Sequence, residues 1–296
     1  MLRIGRFCLD VVETGRFGLD GGAMFGVVPK PLWERAYHAA DAANRIPMAA
    51  RALLIRWDEN AVLVDTGNGT KMSEKERQIY ALDTSRFSLE SSLQQLGLRP
   101  EDITAVILTH LHFDHAGGST RIDARGELIP TFPQARYYVQ QDHLRWARQP
   151  TEKDRASFRA EDFEPLASAG VLELLDGEGE LFPGIRLLVV HGHTRAMQLV
   201  LVHDAGESLL YCADLCPTAA HVPYPYIMAY DNFPLTTLEE KKRILPQAYE
   251  EGWILCFEHD AFVQAARLQP TAKGFIAGEP VVITALQTQP AQESAR

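Results

Sequence analysis

Cysteine is scarce in this chain of 296 residues: only Cys8, Cys212, Cys216 and Cys256 occur. They show no paired framework, and Cys212 and Cys216 lack the tight CxxC spacing. A disulfide-stapled secreted scaffold and a zinc–thiolate knot are therefore excluded, and free thiols are expected. Long apolar runs are missing too. No segment reaches the length needed to cross a bilayer, and the first eight residues lack the apolar core and small-residue cleavage site of a signal peptide. A cytoplasmic protein with no membrane partner is the expectation. Positive charge is in short supply as well, with 29 Lys plus Arg against 39 Asp plus Glu and a net charge of -10. No basic run forms a track for a phosphate backbone, which argues against nucleic acid as substrate and for a small molecule. Internal repeats and low-complexity linkers are also absent.

What is present is a dense run of ligand-type residues: Thr109-His110-Leu111-His112-Phe113-Asp114-His115-Ala116-Gly117-Gly118. His110, His112 and Asp114 are two apart, so in an extended segment their side chains leave from one face. His115 joins them only if the chain turns, and the glycines that follow permit a turn. Imidazole and carboxylate without thiolate suit zinc, manganese, iron or cobalt in an open site.

Periodicity along the chain gives short apolar strands that each run into a polar residue. Residues 61–64 lead into Asp65, 105–108 into Thr109 and His110, and 185–190 into His191 and His193. Residues 208–212 lead into Asp214, and 253–257 into Glu258, His259 and Asp260. Strand ends that all carry candidate ligands imply that one edge of a sheet, or of two facing sheets, collects the site. Between them, residues 88–96 have helical spacing and stop at Gly97. Thr236-Thr237-Leu238-Glu239 has the spacing of a capping box, with Pro246 expected to bend the helix that follows. The charged stretch 140–169 reads as a helical insertion over the sheet. Residues 1–286 are expected to form one domain, and the polar stretch 287–296 a disordered tail.

The motif His110-Leu111-His112-Phe113-Asp114-His115, followed by Gly192-His193-Thr194, Asp214 and His259, resembles the metallo-β-lactamase superfamily. Val64-Asp65-Thr66-Gly67 matches its first motif, and the order agrees over residues 50–262. The resemblance implies an αβ/βα sandwich: two mixed β-sheets packed face to face, helices outside, and a dinuclear metal site at one sheet edge. A narrower resemblance joins residues 20–30 and Met228-Ala229-Tyr230-Asp231 to the branch of N-acyl-homoserine lactonases and quorum-quenching lactonase-like proteins.

The resemblance implies two divalent ions, zinc first, with manganese, iron or cobalt as alternatives. By similarity, His110, His112 and His193 hold the first ion; Asp114, His115 and His259 hold the second; Asp214 bridges both. The activity implied is hydrolysis of a lactone, an N-acyl-homoserine lactone first, by a hydroxide bridging the ions. Asp114 is the catalytic residue expected to shuttle a proton to the departing alkoxide. Asp65 is expected to orient a ligand histidine, and His191 either to support the ligands or simply to pack. Met24, Phe25 and Phe113 are candidates for a hydrophobic wall or for core filling. Lactonases of this branch carry a tyrosine shortly after the bridging aspartate, where this chain has Leu215-Cys216-Pro217-Thr218. His221, Tyr224 or Tyr226 in the aromatic loop 221–233 could take that place, or the loop could be core. Rival readings are another ester, thioester or β-lactam hydrolase, an oxygen-reducing diiron protein, and a non-catalytic binder. A homodimer stays open.

Overall fold

The computed structural model of the protein describes residues 1–284. The tail expected at 287–296 lies outside the described residues. The first half of the chain forms β1 (Leu2–Ile4), β2 (Phe7–Asp20), α1 (Gly21–Phe25), α2 (Lys30–Ala36), β3 (Arg45–Trp57), β4 (Asn60–Val64), α3 (Glu74–Ile79), α4 (Leu89–Gln95), β5 (Ala105–Ile107), α5 (Phe113–Ala116), β6 (Thr120–Ile122), β7 (Leu128–Pro130) and β8 (Arg136–Gln140). It continues through α6 (Gln141–Arg148), α7 (Ala160–Ser168), β9 (Leu172–Leu175), β10 (Gly179–Phe182), β11 (Ile185–Val190), β12 (Met197–Asp204), β13 (Glu207–Tyr211), α8 (Pro234–Glu250), β14 (Ile254–Cys256), β15 (Ala265–Thr271) and β16 (Gly274–Val281).

The strands build two seven-stranded sheets, β1-β2-β3-β4-β5-β8-β9 and β10 to β16 in chain order, with β6 and β7 as a separate ribbon. Both sheets are mixed: β4, β5, β8 and β9 run parallel, and so do β13 and β14, while the other neighbours are antiparallel. This is the mixed two-sheet α/β architecture expected above.

Period-two alternation explains why the strands read as continuous apolar runs. Leu53, Ile55, Val62 and Val64 pack between the sheets, in one core with Leu187, Leu199 and Leu209. Ala52, Leu54, Ala61 and Leu63 point the other way, into a second core with Leu93 of α4, Leu144 of α6 and Phe163 of α7. A strand buried on both faces has no polar side to alternate. Helix α4 is stopped where expected, its N-terminus capped by Ser88, which accepts from the Ser91 amide, and its end followed by Gly97 at φ 76°. The insertion 140–169 is helical only in α6 and α7; residues 149–159 form a turn-rich link between them.

The capping box expected at Thr236 does not form. Helix α8 begins two residues earlier at Pro234, whose fixed φ suits the first helical position, so Thr236 and Thr237 lie inside it. Glu239 instead pairs with Lys242, and Glu240 accepts from the backbone amides of His191 and Gly192.

Arg51, paired with Glu13 of the neighbouring strand, ties the two sheets together near the ligand-bearing strand ends. Arg51 Nε donates to Glu13 Oε1 at 2.8 Å, and Arg51 Nη1 donates to the Phe257 carbonyl at 2.6 Å. Tyr211 Oη donates to the Arg51 carbonyl at 2.6 Å, so β3 is bonded to β13 and to the residue that follows β14. Burial pushes the Glu13 carboxyl up, but Arg51 and Arg16 outweigh it and hold its pKa below the ordinary value of 4.5. Glu13→Gln leaves a buried guanidinium uncompensated, and a loss of about 3–5 kcal/mol in urea unfolding at pH 7 is expected. Because the folded pKa is depressed, the wild-type contribution is present above pH 4.5 and fades as the pH falls through the folded value. A loss under 1 kcal/mol would contradict this role.

Candidate metal centre

The ends of five strands converge on one buried volume, as their sequence placement suggests. The chain leaving β5 carries His110, and His112 is the residue before α5, whose first turn presents Asp114 and His115. His193 follows β11, Asp214 sits in a short turn after β13, and His259 follows β14. One donor atom from each of His110, His112, His193 and Asp214 lies within 4.8 Å of the others, and the same holds for Asp114, His115 and His259. Asp214 stands between the two groups: its Oδ2 is 3.0 Å from His193 Nε2 and 3.5 Å from His115 Nε2, and its Oδ1 is 3.3 Å from His259 Nε2.

The ligand-type histidines are oriented from behind. His193 Nδ1 donates to Asp231 Oδ1 at 2.8 Å, and His259 Nδ1 to the Ala49 carbonyl at 2.9 Å. His115 Nδ1 is 3.0 Å from Asp65 Oδ2, whose carboxylate also accepts from the amide and hydroxyl of Thr109. Asp65 adopts φ 59°, a left-handed conformation that its side-chain bonds compensate. Each of these three rings turns Nε2 inward, the arrangement that fixes the tautomer of a metal-ligating histidine.

Charge in the cluster is unbalanced without cations. Burial and neighbouring imidazoles hold His110 and His112 well below their ordinary pKa. Burial also acts to lower His193 and His259, but carboxylates, Asp214 foremost, raise both to about 9. Burial acts to raise Asp214, yet His193, His115 and His259 pull it well below its usual value. His110 Nε2 lies 3.0 Å from His112 Nδ1, and His259 Nε2 3.0 Å from His115 Nε2. His112 Nε2 and Asp214 Oδ1 are buried with no hydrogen-bond partner. Nitrogens facing nitrogens and an orphaned carboxylate oxygen fit divalent cations, and the all-N/O donor set suits zinc-type ions.

Other candidate residues are placed differently. Met24 and Phe113 line a cavity of about 190 Å³ over the cluster, together with Leu19, Met228, Tyr80 and Tyr230. Phe25, His221, Tyr224 and Tyr226 do not reach it. Phe25 is fully buried and stacks on His221 at 4.5 Å, and His221 donates to the Met24 carbonyl while burial pushes its pKa down to about 3. Tyr226 packs edge-on against Phe25, and Tyr224 against Phe275 of β16. These aromatics build the frame behind the cavity, where buried Lys241 donates to the carbonyls of His221, Pro223 and Tyr226. His191 turns away from the cluster; its Nδ1 accepts from the Ala196 amide.

Three further residues support the cluster, of which Glu258 stood among the strand-end candidates while His143 and Asp231 carry no ligand signal in the sequence. His143 on α6 accepts from the Leu111 amide and donates to the Arg195 carbonyl, bracing the metal loop from below. Asp231 lay inside the aromatic loop, whose rings drew attention first. Glu258, beside His259, places Oε2 at 2.9 Å from His115 Nδ1, and burial pushes its pKa up to about 8.

The pattern described as the Metallo-beta-lactamase superfamily matches residues 45–259 of the chain. The chain belongs to the metallo-β-lactamase superfamily. Within that superfamily it is 30% identical over 203 residues to N-acyl homoserine lactonase AiiB of Agrobacterium fabrum, covering 62% of this chain and 69% of that protein. Across the first four curated relatives the match spans 57% to 69% of their lengths. A probable metal-dependent hydrolase from Staphylococcus aureus superposes with a TM-score of 0.84 at 29% identity, covering 95% of this chain and 100% of its own. AidC, a dizinc quorum-quenching lactonase, shares the fold with a TM-score of 0.79 at 20% identity, over 95% and 97% of the two chains.

Two outcomes follow for metal uptake. Asp231→Asn frees the His193 ring and is expected to weaken divalent-ion affinity about 10- to 100-fold in competition with a chromophoric chelator; wild-type affinity would refute the orienting role. Since His193 and His259 hold protons up to about pH 9 without metal, ion binding at pH 7 should release protons and tighten as the pH rises. Calorimetry in buffers of different ionisation enthalpy reads that release, and identical heats in both would contradict it.

Proposed function

We propose that this metal-dependent hydrolase opens lactone rings, N-acyl-homoserine lactones first, and so degrades an acylated lactone signal. The observation that carries the reading is the pair of buried donor groups, with Asp214 lying between them, on a cavity also lined by Leu19, Met24, Phe113 and Met228. His110, His112, His193 and Asp214 would hold one divalent ion, and Asp114, His115, His259 and Asp214 the other. Such ions, zinc by preference, supply Lewis acidity toward a carbonyl oxygen and lower the pKa of water.

The chain's own groups perform the rest. Asp114 faces the cavity with Oδ2 3.7 Å from His259 Nε2, and it is the carboxylate placed to carry a proton to the alkoxide formed when the ring opens. The apolar wall binds the acyl arm and excludes bulk water from the reacting carbonyl. Tyr80 and Tyr230 put phenols on the same cavity, where burial and Asp114 keep them protonated; for Tyr230 the pKa is pushed up to about 12. A protonated phenol can donate to a carbonyl oxygen, a role open in this chain because no tyrosine follows Asp214 closely. The net charge of -10 disfavours a nucleic-acid substrate. Among the described residues no helix is long and apolar enough to cross a membrane, and four free thiols accord with a cytoplasmic location.

The same site could cleave other esters, thioesters or β-lactams, and a substrate panel separates these. The expected outcome is a kcat/KM for at least one acyl-homoserine lactone well above that for bis(4-nitrophenyl) phosphate, with Asp214→Ala reducing turnover at least about 1000-fold. Equal or faster phosphodiester cleavage would overturn the lactone assignment, and full activity in Asp214→Ala would overturn the site.

A further inference from the structure

The cavity over the metal centre contains one cationic side chain from Lys or Arg, Lys153, supplied by the link between α6 and α7. Its Nζ donates to the Tyr230 carbonyl at 2.9 Å and to Asn232 Oδ1 at 3.3 Å, both neutral acceptors. The neighbouring Asp154 does not neutralise it. Asp154 Oδ1 is taken by the amide and hydroxyl of Thr151, and Oδ2 by Trp146 Nε1 and Asn232 Nδ2. Lys153 therefore keeps an N–H and, among the described residues, its charge without a carboxylate partner. Burial acts to depress its pKa, and Asp231 and Asp154 only partly offset this. Lys153 is exposed on the cavity wall, where an arriving anion can reach the ammonium and form a charge-assisted hydrogen bond.

The link that carries Lys153 is anchored at Phe158. Phe158, five residues on, forms a β-bridge with His112 and packs on the His112 ring at 4.6 Å, so the link is tied to the metal loop itself. Ser157 brings a hydroxyl to the same cavity. At about 190 Å³ the cavity lies below the size usual for pockets that engulf drug-sized ligands, which favours a ring with a short arm over a long acyl chain.

We propose that Lys153 is a specificity-determining residue that binds a carboxylate on the short arm of the substrate, so that the preferred lactone or ester is acidic. This inference rests on the hydrolase reading above and narrows its substrate class. An arm ending in carboxylate meets the ammonium and the Ser157 hydroxyl; an arm ending in methyl leaves both unsatisfied.

The test compares N-succinyl-homoserine lactone with N-butanoyl-homoserine lactone, in which methyl replaces carboxylate. In parallel it compares mono-4-nitrophenyl adipate with 4-nitrophenyl hexanoate. Wild type is expected to favour the acidic member about tenfold or more in kcat/KM, chiefly through KM, as a charge-assisted hydrogen bond predicts. Lys153→Met should collapse that preference toward unity, and Lys153→Arg should retain most of it. An equal loss for both members in Lys153→Met would show a mere strut for residues 230–232 and overturn the proposal, as would a wild-type preference for the neutral member. If lactones resist hydrolysis while the adipate ester is preferred, the lactone reading fails and Lys153 stands; lactone turnover without preference gives the reverse. If nothing turns over, calorimetric titration of N-succinyl-homoserine and N-butanoyl-homoserine into metal-loaded wild type and Lys153→Met decides by the same ratio.

Discussion

Seven ligand-type side chains share one buried volume, and their mutual electrostatics is the constraint to which the surrounding structure answers. Five imidazoles cannot all carry protons there, and two carboxylates cannot be left without cations. Asp214 resolves the conflict by lying against His110, His115, His193 and His259 at once. A carboxylate in that position either keeps protons on its histidines or gives them up to metal. The flanking Asp65, Asp231 and Ala49 contacts decide which nitrogen of each ring faces inward, and so favour the second state.

The strands and the edge that gathers the site were legible in the sequence because strands buried on both faces are written as uninterrupted apolar runs, each halted by a ligand-type residue; the sandwich itself was implied by the resemblance of the motifs. His110 to His115 were legible for the same reason: ligand chemistry compressed into six positions has few other uses. Supporting residues were harder to read. Asp231 is a single carboxylate among 39 acidic residues, and only three-dimensional proximity to a ring nitrogen distinguishes it. His143 reads as an ordinary helical histidine until its two backbone contacts are seen.

The aromatic loop shows where composition misleads. Rings in a chain segment announce burial, but not against what. His221, Tyr224 and Tyr226 turn back into the frame, while Met228 and Tyr230, a few residues on, enter the cavity. The switch is imposed by Lys241, whose ammonium gathers three carbonyls of the loop. A helix capping signal failed by a related route: Pro234 begins α8 early, and Glu240 is drawn to the backbone beside His193.

The link made by Arg51 between the sheets has a consequence for metal choice. His110, His112, Asp114 and His115 are carried by the first sheet, and His193, Asp214 and His259 by the second, so each donor group straddles the seam. With β3 bonded to Phe257 and Tyr211 across that seam, the two sheets are held against each other where the donors meet. The span between donors contributed by the two sheets is thus a ruler cut into the sandwich. Discrimination among ions of similar size then falls to ligand softness and coordination geometry, which the loops alone can tune.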